Sequence, residues 1–223
     1  MTDKNQSPVC VITGGHGTLG KALENAFNQN GFEVYAPSST ELDVTSASSV
    51  SHFFSELPRL DVLIVNAGVV RDRTLAKMTH EEWDTVMKVN LKGAFLCSRA
   101  AARLMAKQRK GHIIYISSWA AKNGNFGQSN YAASKAGLIG LCQSMAKEYG
   151  KRNVQANVVL PGYFQSKITS SVPADVEEHV RTMHTLERFN TPENAAKFIA
   201  FVANLDHCSG QTFQLDSRIA PWT

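Results

Sequence analysis

"VCVITGGHGTLGKALENAFNQNG", Val9 to Gly31, decides the fold. Its first residues form a short apolar run, the signature of a buried strand reading as Val9–Thr13. The glycine-rich octapeptide Thr13–Gly20 follows, and then a helical pattern over Thr18–Asn30 that Gly31 stops as a C-terminal glycine. Gly14, Gly15 and Gly17 allow tight turning and close backbone approach, while the helix N-terminus offers unpaired N–H groups to a pyrophosphate. Gly20 lets the helix lie close to the strand. Gly15, Gly17 and Gly20 alone fit a G-x-G-x-x-G spacing, which a plain strand-to-helix turn also produces, so the context must decide.

The context is an alternation of strands and helices. Phe32–Ala36, Asp61–Val65, His112–Ser117, Asn153–Leu160 and Gln211–Leu215 read as further strands. Thr79 with Glu82 forms a capping-box signature before a helix running towards Lys107. Ser129–Lys151 carries a second long helical pattern, and Thr191-Pro192-Glu193 opens another helix with proline at its first position. Such alternation predicts an α/β fold, a doubly wound parallel sheet covered on both faces. No linker, repeat or low-complexity tract interrupts residues 1–223, which therefore read as a single domain. In such sheets ligands bind at the carboxyl ends of the strands, where Thr13–Gly20 sits.

Composition narrows the class. The 223 residues are 43% hydrophobic and 19% charged, an ordinary globular balance. No apolar run reaches the ~18 residues of a membrane span, and Met1–Pro8 shows no secretory pattern, so a cytoplasmic location is expected. Cys10, Cys97, Cys142 and Cys208 lack metal-ligand or redox spacing and read as buried thiols in a reducing compartment. The surplus of 23 Lys+Arg over 19 Asp+Glu is too mild and scattered for a nucleic-acid stripe, but suits an anionic cofactor or acidic partner.

The chemistry lies downstream. In "NYAASKAG", Tyr131 and Lys135 are four apart at the start of a helix and share one face. An ammonium beside a phenol favours the phenolate and so lowers the phenol pKa, giving an acid/base group usable near neutrality. "YISSWA" ends its strand at Ser117-Ser118, where a hydroxyl can hydrogen-bond a substrate carbonyl. "VNAG" (Val65–Gly68) ends another strand at the same edge, and "VNLKG" places Asn90 inside a helix.

This joint order resembles the short-chain dehydrogenase/reductase family, in its compact single-domain branch, over about Val9 to Leu215. The resemblance implies a Rossmann-type fold. It makes Thr13–Gly20 the cofactor loop, with contacts from Gly14, His16, Gly17, Thr18 and Leu19. Asp43-Val44 resembles the adenine-contacting pair, and Asn66-Ala67-Gly68 the sheet-stabilising segment that also lines the cofactor. Asn90, Ser118, Tyr131 and Lys135 match the catalytic tetrad, Ser118 being preferred to Ser117 because it precedes the tyrosine by thirteen positions. Pro161-Gly162 resembles the segment flanking the nicotinamide. By this likeness Tyr131 would protonate a carbonyl oxygen that Ser118 orients. Lys135 would hold the ribose and lower the tyrosine pKa, and Asn90 would anchor a water chain.

Departures from the family pattern are equally informative. Thr18 stands where the compact branch carries a glycine. A helix usual between strands two and three is missing, and the third strand shrinks to about Glu41–Val44. The second strand ends in Ala36-Pro37-Ser38-Ser39, with no carboxylate to repel a 2′-phosphate. Ser38, Ser39 and His16 therefore favour NADP(H), with NAD(H) as the alternative.

"GVVRDRTLAKMTHEEWDTVMKVNLKGAFLCSRAA", "GQSNYAASKAGLIG" and "SGQTF" resemble the 3-oxoacyl-[acyl-carrier-protein] and acetoacetyl-CoA reductases. That likeness implies reduction of a small or carrier-bound 3-oxoacyl thioester, and Arg109 and Arg152 match positions that dock an acidic acyl carrier protein. It implies a homotetramer or homodimer too, although the tail "LDSRIAPWT" departs from the usual ending. Residues 166–189 read as a substrate lid. A dehydrogenase of another small alcohol or ketone, or a non-catalytic cofactor sensor, are the competing readings.

Overall fold

A computed structural model describes residues 7–166, 169–170 and 172–219. Six strands form one parallel sheet in the order β2-β1-β3-β4-β5-β6. They are β1 (Val9–Ile12), β2 (Glu33–Tyr35), β3 (Val62–Val65), β4 (Gly111–Ile116), β5 (Val154–Leu160) and β6 (Thr212–Gln214). The helices are α1 (Thr18–Gln29), α2 (Ala47–Ser55), α3 (His80–Met87), α4 (Ala94–Gln108), α5 (Ala120–Asn123), α6 (Ser129–Tyr149), α7 (Ala174–Thr182) and α8 (Pro192–Ala203).

Both faces of the sheet are buried because successive strand residues point to opposite sides. Val9 and Val11 join Leu63, Ile113, Tyr115 and Val158 in a core closed by α2, α4 and α6. Cys10 and Ile12 join Val62, Ile64, Ile114 and Val159 in a second core closed by α1 and α8. This is the Rossmann-type arrangement. Strand order reverses at β1, which pairs β2 on one side and β3 on the other. The crevice that a reversal opens lies at the carboxyl ends of β1 and β3.

Local sequence explains the helix boundaries. Thr79 accepts a bond from the Glu82 N–H while the Glu82 carboxylate takes the Thr79 N–H, the reciprocal cap that starts α3. Arg73 and these caps hold the Glu82 carboxyl down at about 2. Thr191 caps α8 ahead of Pro192. The single helix expected to run towards Lys107 is α3 and α4 joined by one wide π-helical turn, Lys88–Gly93.

The connection after β2 corrects one expectation. No helix lies between β2 and Glu41, as the compressed sequence suggests, but Glu41–Val44 is not a strand. The Asp43 carboxylate accepts from both the N–H and the hydroxyl of Thr45 at 2.8 Å, and the Leu42 N–H bonds the Ser38 carbonyl. These local bonds fold the backbone into turns, and α2 then leads to β3. Cys10, Cys97 and Cys142 are buried, and burial pushes the last two thiols up to about 12, whereas Cys208 is only half-buried. The expected lid, 166–189, carries α7. Its residues 167, 168 and 171 lie outside the described residues, as do 1–6 and 220–223 of the termini.

Candidate active site

At the reversal point the ends of β1 and β3 are stitched together. The Thr13 hydroxyl accepts the N–H groups of Asn66 (3.0 Å) and Ala67 (3.1 Å). The Asn66 side-chain amide donates to the carbonyls of Thr13 and Gly14, each at 3.1 Å. Gly14 has φ +67°, and a Cβ there would lie 2.9 Å from the Ala67 Cα. A Cβ on Gly15 would lie 2.6 Å from the Ala36 carbonyl oxygen, and one on Gly20 would strike the carbonyls of Gly14 and Gly15. The loop is thus pressed between β2, β3 and α1 with no room for side chains at these positions. Gly17 starts α1 without a side-chain cap, so the first-turn N–H groups of Thr18, Leu19 and Gly20 are available to an anion. A cradle without side chains before an uncapped helix N-terminus fits a dinucleotide's pyrophosphate. Gly15→Ala is expected to cost about 1–3 kcal/mol of stability and to weaken dinucleotide binding, measured by urea denaturation and fluorescence titration.

Along the same edge, β4 ends at Ser117 and Ser118. The two serines have different tasks. Ser117 is buried and its hydroxyl donates to the Lys135 carbonyl at 2.9 Å, tying β4 to α6. The Ser118 hydroxyl accepts the Ala120 N–H at 3.2 Å and stands close enough to the Tyr131 phenol to draw its pKa down. Ser118, rather than Ser117, is therefore the serine that meets the tyrosine. Tyr131 stands in the first turn of α6, its N–H bonded by the side-chain carbonyl of the fully buried Asn130 at 2.7 Å.

Lys135, one turn on, is buried, and its ammonium donates to the Ile116 carbonyl at 2.8 Å. Burial lowers its pKa to about 8. Asn90 lies in the π turn, where its side chain takes the Val69 N–H (2.8 Å) and donates to the Val69 carbonyl and the Ser134 hydroxyl. A Cβ on Gly68 would lie 3.4 Å from both the Asn90 Oδ1 and the Lys135 Nζ, so Gly68, Asn90 and Lys135 converge. Pro161-Gly162 leaves β5 at this edge, with Gly162 at φ +84° and the Pro161 carbonyl held by the Asn190 amide at 2.7 Å.

The short chain dehydrogenase family model matches residues 38–177. The 3-oxoacyl-[acyl-carrier-protein] reductase FabG of Thermotoga maritima is 35% identical over 96% of this chain and 98% of its own length. A 3-oxoacyl-[acyl-carrier-protein] reductase of Synechocystis sp. is 35% identical over 93% of this chain and 95% of its own. The FabG of Aquifex aeolicus is 37% identical over 87% of this chain and 79% of its own. The chain is a short-chain dehydrogenase. It is accordingly an oxidoreductase of CH–OH groups that uses a nicotinamide cofactor, which supplies the hydride when bound.

Four details of this short-chain dehydrogenase differ from expectation. The Tyr131 pKa is raised, not lowered. Burial dominates, the neighbouring Ser118 hydroxyl opposes it and the nearby Asp72 adds to it. The Lys135 ammonium lies 5.7 Å from the centre of the phenol ring and gives one of its donors to the Ile116 carbonyl. The Asn90 side chain is occupied by Val69 and Ser134.

The fourth detail is a carboxylate after strand two. The Glu41 carboxylate folds back to accept both the N–H and the hydroxyl of Ser38 at 2.8 Å. Those bonds and the charge of His16 hold its pKa below the ordinary value. Ser39 is exposed beside it. The Asp43 carboxylate is occupied by Thr45, and Val44 packs against Gly93. Sequence pattern misses Glu41 because it stands beyond the strand end and returns only through the turn.

Arg109 and Arg152 do come together, but elsewhere. Arg109 caps α4 in the left-handed region and donates to the Lys151 carbonyl at 3.3 Å. Both precede the amino ends of β4 and β5, on the edge opposite Ser118. A six-residue strand such as β4 spans about 20 Å.

Proposed function

We propose that this short-chain dehydrogenase reduces the keto group of a 3-oxoacyl thioester to the 3-hydroxyacyl thioester, in fatty-acid or related acyl-chain synthesis. The carrying observation is near-full-length similarity to 3-oxoacyl-[acyl-carrier-protein] reductases, joined to the placing of Ser118 beside Tyr131 at the crevice. In this reading Ser118 and Tyr131 share the substrate carbonyl oxygen. Tyr131 gives it a proton, which neutralises the charge that develops there. Lys135 turns its remaining N–H donors to the ribose, and Asn90 keeps the turn at Val69 against α6. Gly14, His16, Gly17, Thr18, Leu19, Asn66, Ala67, Gly68, Pro161 and Gly162 line the dinucleotide, with Asp43 and Val44 at its adenine end. Purified protein with acetoacetyl-CoA and reduced dinucleotide should oxidise the dinucleotide. Turnover of a free ketone with none of the thioester would refute the substrate.

For the dinucleotide we propose NADP(H) with a narrow preference. His16, Ser38 and Ser39 offer donors to a 2′-phosphate, while the Glu41 charge opposes it and occupies Ser38. Removing one charge near the surface relieves its repulsion of a phosphate. Glu41→Gln is thus expected to raise the NADPH-to-NADH affinity ratio about tenfold, read from fluorescence titrations. An unchanged ratio would place Glu41 outside the 2′ subsite.

An acidic carrier docked on Arg109 and Arg152 stands on the edge away from its own chain's Tyr131, so it would serve a neighbouring copy in a homodimer or homotetramer. Such docking weakens with salt. Buried free thiols suit a cytoplasmic enzyme.

A further inference from the structure

The C-terminal segment Gln214–Arg218 replaces the usual ending, and it folds back over the catalytic edge. Asp216 and Arg218 form a buried ion pair, with side-chain exposures of 2% and 8%. The Arg218 Nε donates to Asp216 Oδ2 at 3.0 Å, and the Arg218 N–H donates to Oδ1 at 3.1 Å. The Gln214 amide closes the loop by donating to Asp216 Oδ1 and to the Arg218 carbonyl. The guanidinium, so fixed, lies 4.4 Å over the ring of Trp119, which is itself buried and follows Ser118 directly.

The same segment touches two other parts of the site. A Cβ on Gly162 would lie 2.9 Å from the Leu215 carbonyl, so the tail presses on the bend after β5. Ser217 accepts through its carbonyl from the Thr185 N–H and hydroxyl, and through its own hydroxyl from the Leu186 N–H. One short strap therefore joins the turn of Ser118, the bend at Gly162 and the far end of the segment read as the lid. A desolvated cation over an indole contributes more than an exposed one. A buried charge that only aided stability would be replaceable by apolar packing.

We propose that Arg218 is a positioning residue for the reduction, holding Trp119 and through it the Ser118 hydroxyl in register with Tyr131. The proposal rests on the assignment of Ser118 to the substrate carbonyl. The Ser118 turn is held from within by the Ala120 N–H on its hydroxyl and the Ala121 N–H on its carbonyl. From outside it is held by Trp119, and Trp119 is clamped by Arg218. Without the cation the indole is free to rotate out, the α5 turn loosens, and the hydroxyl loses its direction.

The test compares Arg218→Met and Arg218→Lys with the parent, alone and in a Ser118→Ala background. For Arg218→Met, kcat should fall about tenfold with dinucleotide affinity unchanged within twofold. Arg218→Lys, which keeps a cation over Trp119, should recover part of the loss. In the Ser118→Ala background Arg218→Met should cost nothing further, since the hydroxyl it positions is gone. Independently of any substrate, the amides of Ala120 and Ala121 should exchange at least tenfold faster in Arg218→Met while β4 and β5 stay protected. Unchanged exchange at these amides, or an equal kcat loss with and without the Ser118 hydroxyl, overturns the proposal. Full turnover by Ser118→Ala overturns instead the site assignment beneath it. If Arg218→Met does not fold, Arg218→Gln, which also removes the cation, carries the same readouts.

Discussion

Tyr131→Phe is expected to lower kcat by about a thousandfold, within the range that a positioned proton donor contributes. The ring stays: it keeps its place in α6 and its contact with the Lys135 ammonium, 5.7 Å from its centre. Only the hydroxyl is lost, and with it the proton and the partner of Ser118. Dinucleotide affinity should therefore hold within twofold, which separates a missing donor from a collapsed crevice. The raised Tyr131 pKa fixes the pH behaviour. The phenol stays protonated through neutrality, the form that can donate during reduction, so the reductive rate should show no decline from Tyr131 up to about pH 8. A fall beginning near pH 8 belongs to Lys135 losing its charge. A Phe variant retaining a tenth of the parent kcat would remove Tyr131 from the proton-donor role.

What the sequence reveals and what it hides divide along physical lines. The strands are legible because β1, β3, β4 and β5 are apolar on both faces, and the glycine loop is legible because it interrupts that pattern between a strand and a helix. Thr79 and Pro192 announce their helices through local capping chemistry. The stretch from Ser38 to Ser46 is not legible, since its shape follows from side chains bonding nearby backbone, Asp43 to Thr45 and Ser38 to Glu41. The helix α2 escapes notice because only Val50 and Phe54 are fully buried on it. For the pair Tyr131 and Lys135, spacing gives the shared face but not the rotamer, and the rotamer turns the ammonium to Ile116. The clamp of Arg218 on Trp119 is invisible to any local pattern, because it joins residues far apart in the sequence.

Lys135→Met is expected to abolish turnover and, at the same time, to make the protein more stable. Lys135 is 4% exposed, and its ammonium has one protein acceptor among the described residues, the Ile116 carbonyl. An ammonium carries three donors, so two remain for a ribose in a place already removed from water. That incomplete solvation is what lowers its pKa from 10.5 to about 8.

The sign follows directly. The folded protein binds this proton more weakly than the unfolded chain does, so folding with the charge present costs up to about 3 kcal/mol at pH 7. The cost shrinks as pH rises from about 8 towards 10.5, where the folded state has released the proton and the unfolded chain still holds it. Methionine fills a similar volume without the charge, and loses only the bond to Ile116, worth about 1–2 kcal/mol. Urea denaturation at pH 7 should show Lys135→Met more stable by about 1–2 kcal/mol, with the gap closing by pH 10, while dinucleotide affinity falls. If the variant is instead less stable at pH 7, the ammonium is a structural group and not a donor kept in reserve for the cofactor. The expected opposition of stability and turnover at one side chain is what marks it as selected for binding, since the fold alone is better served without it.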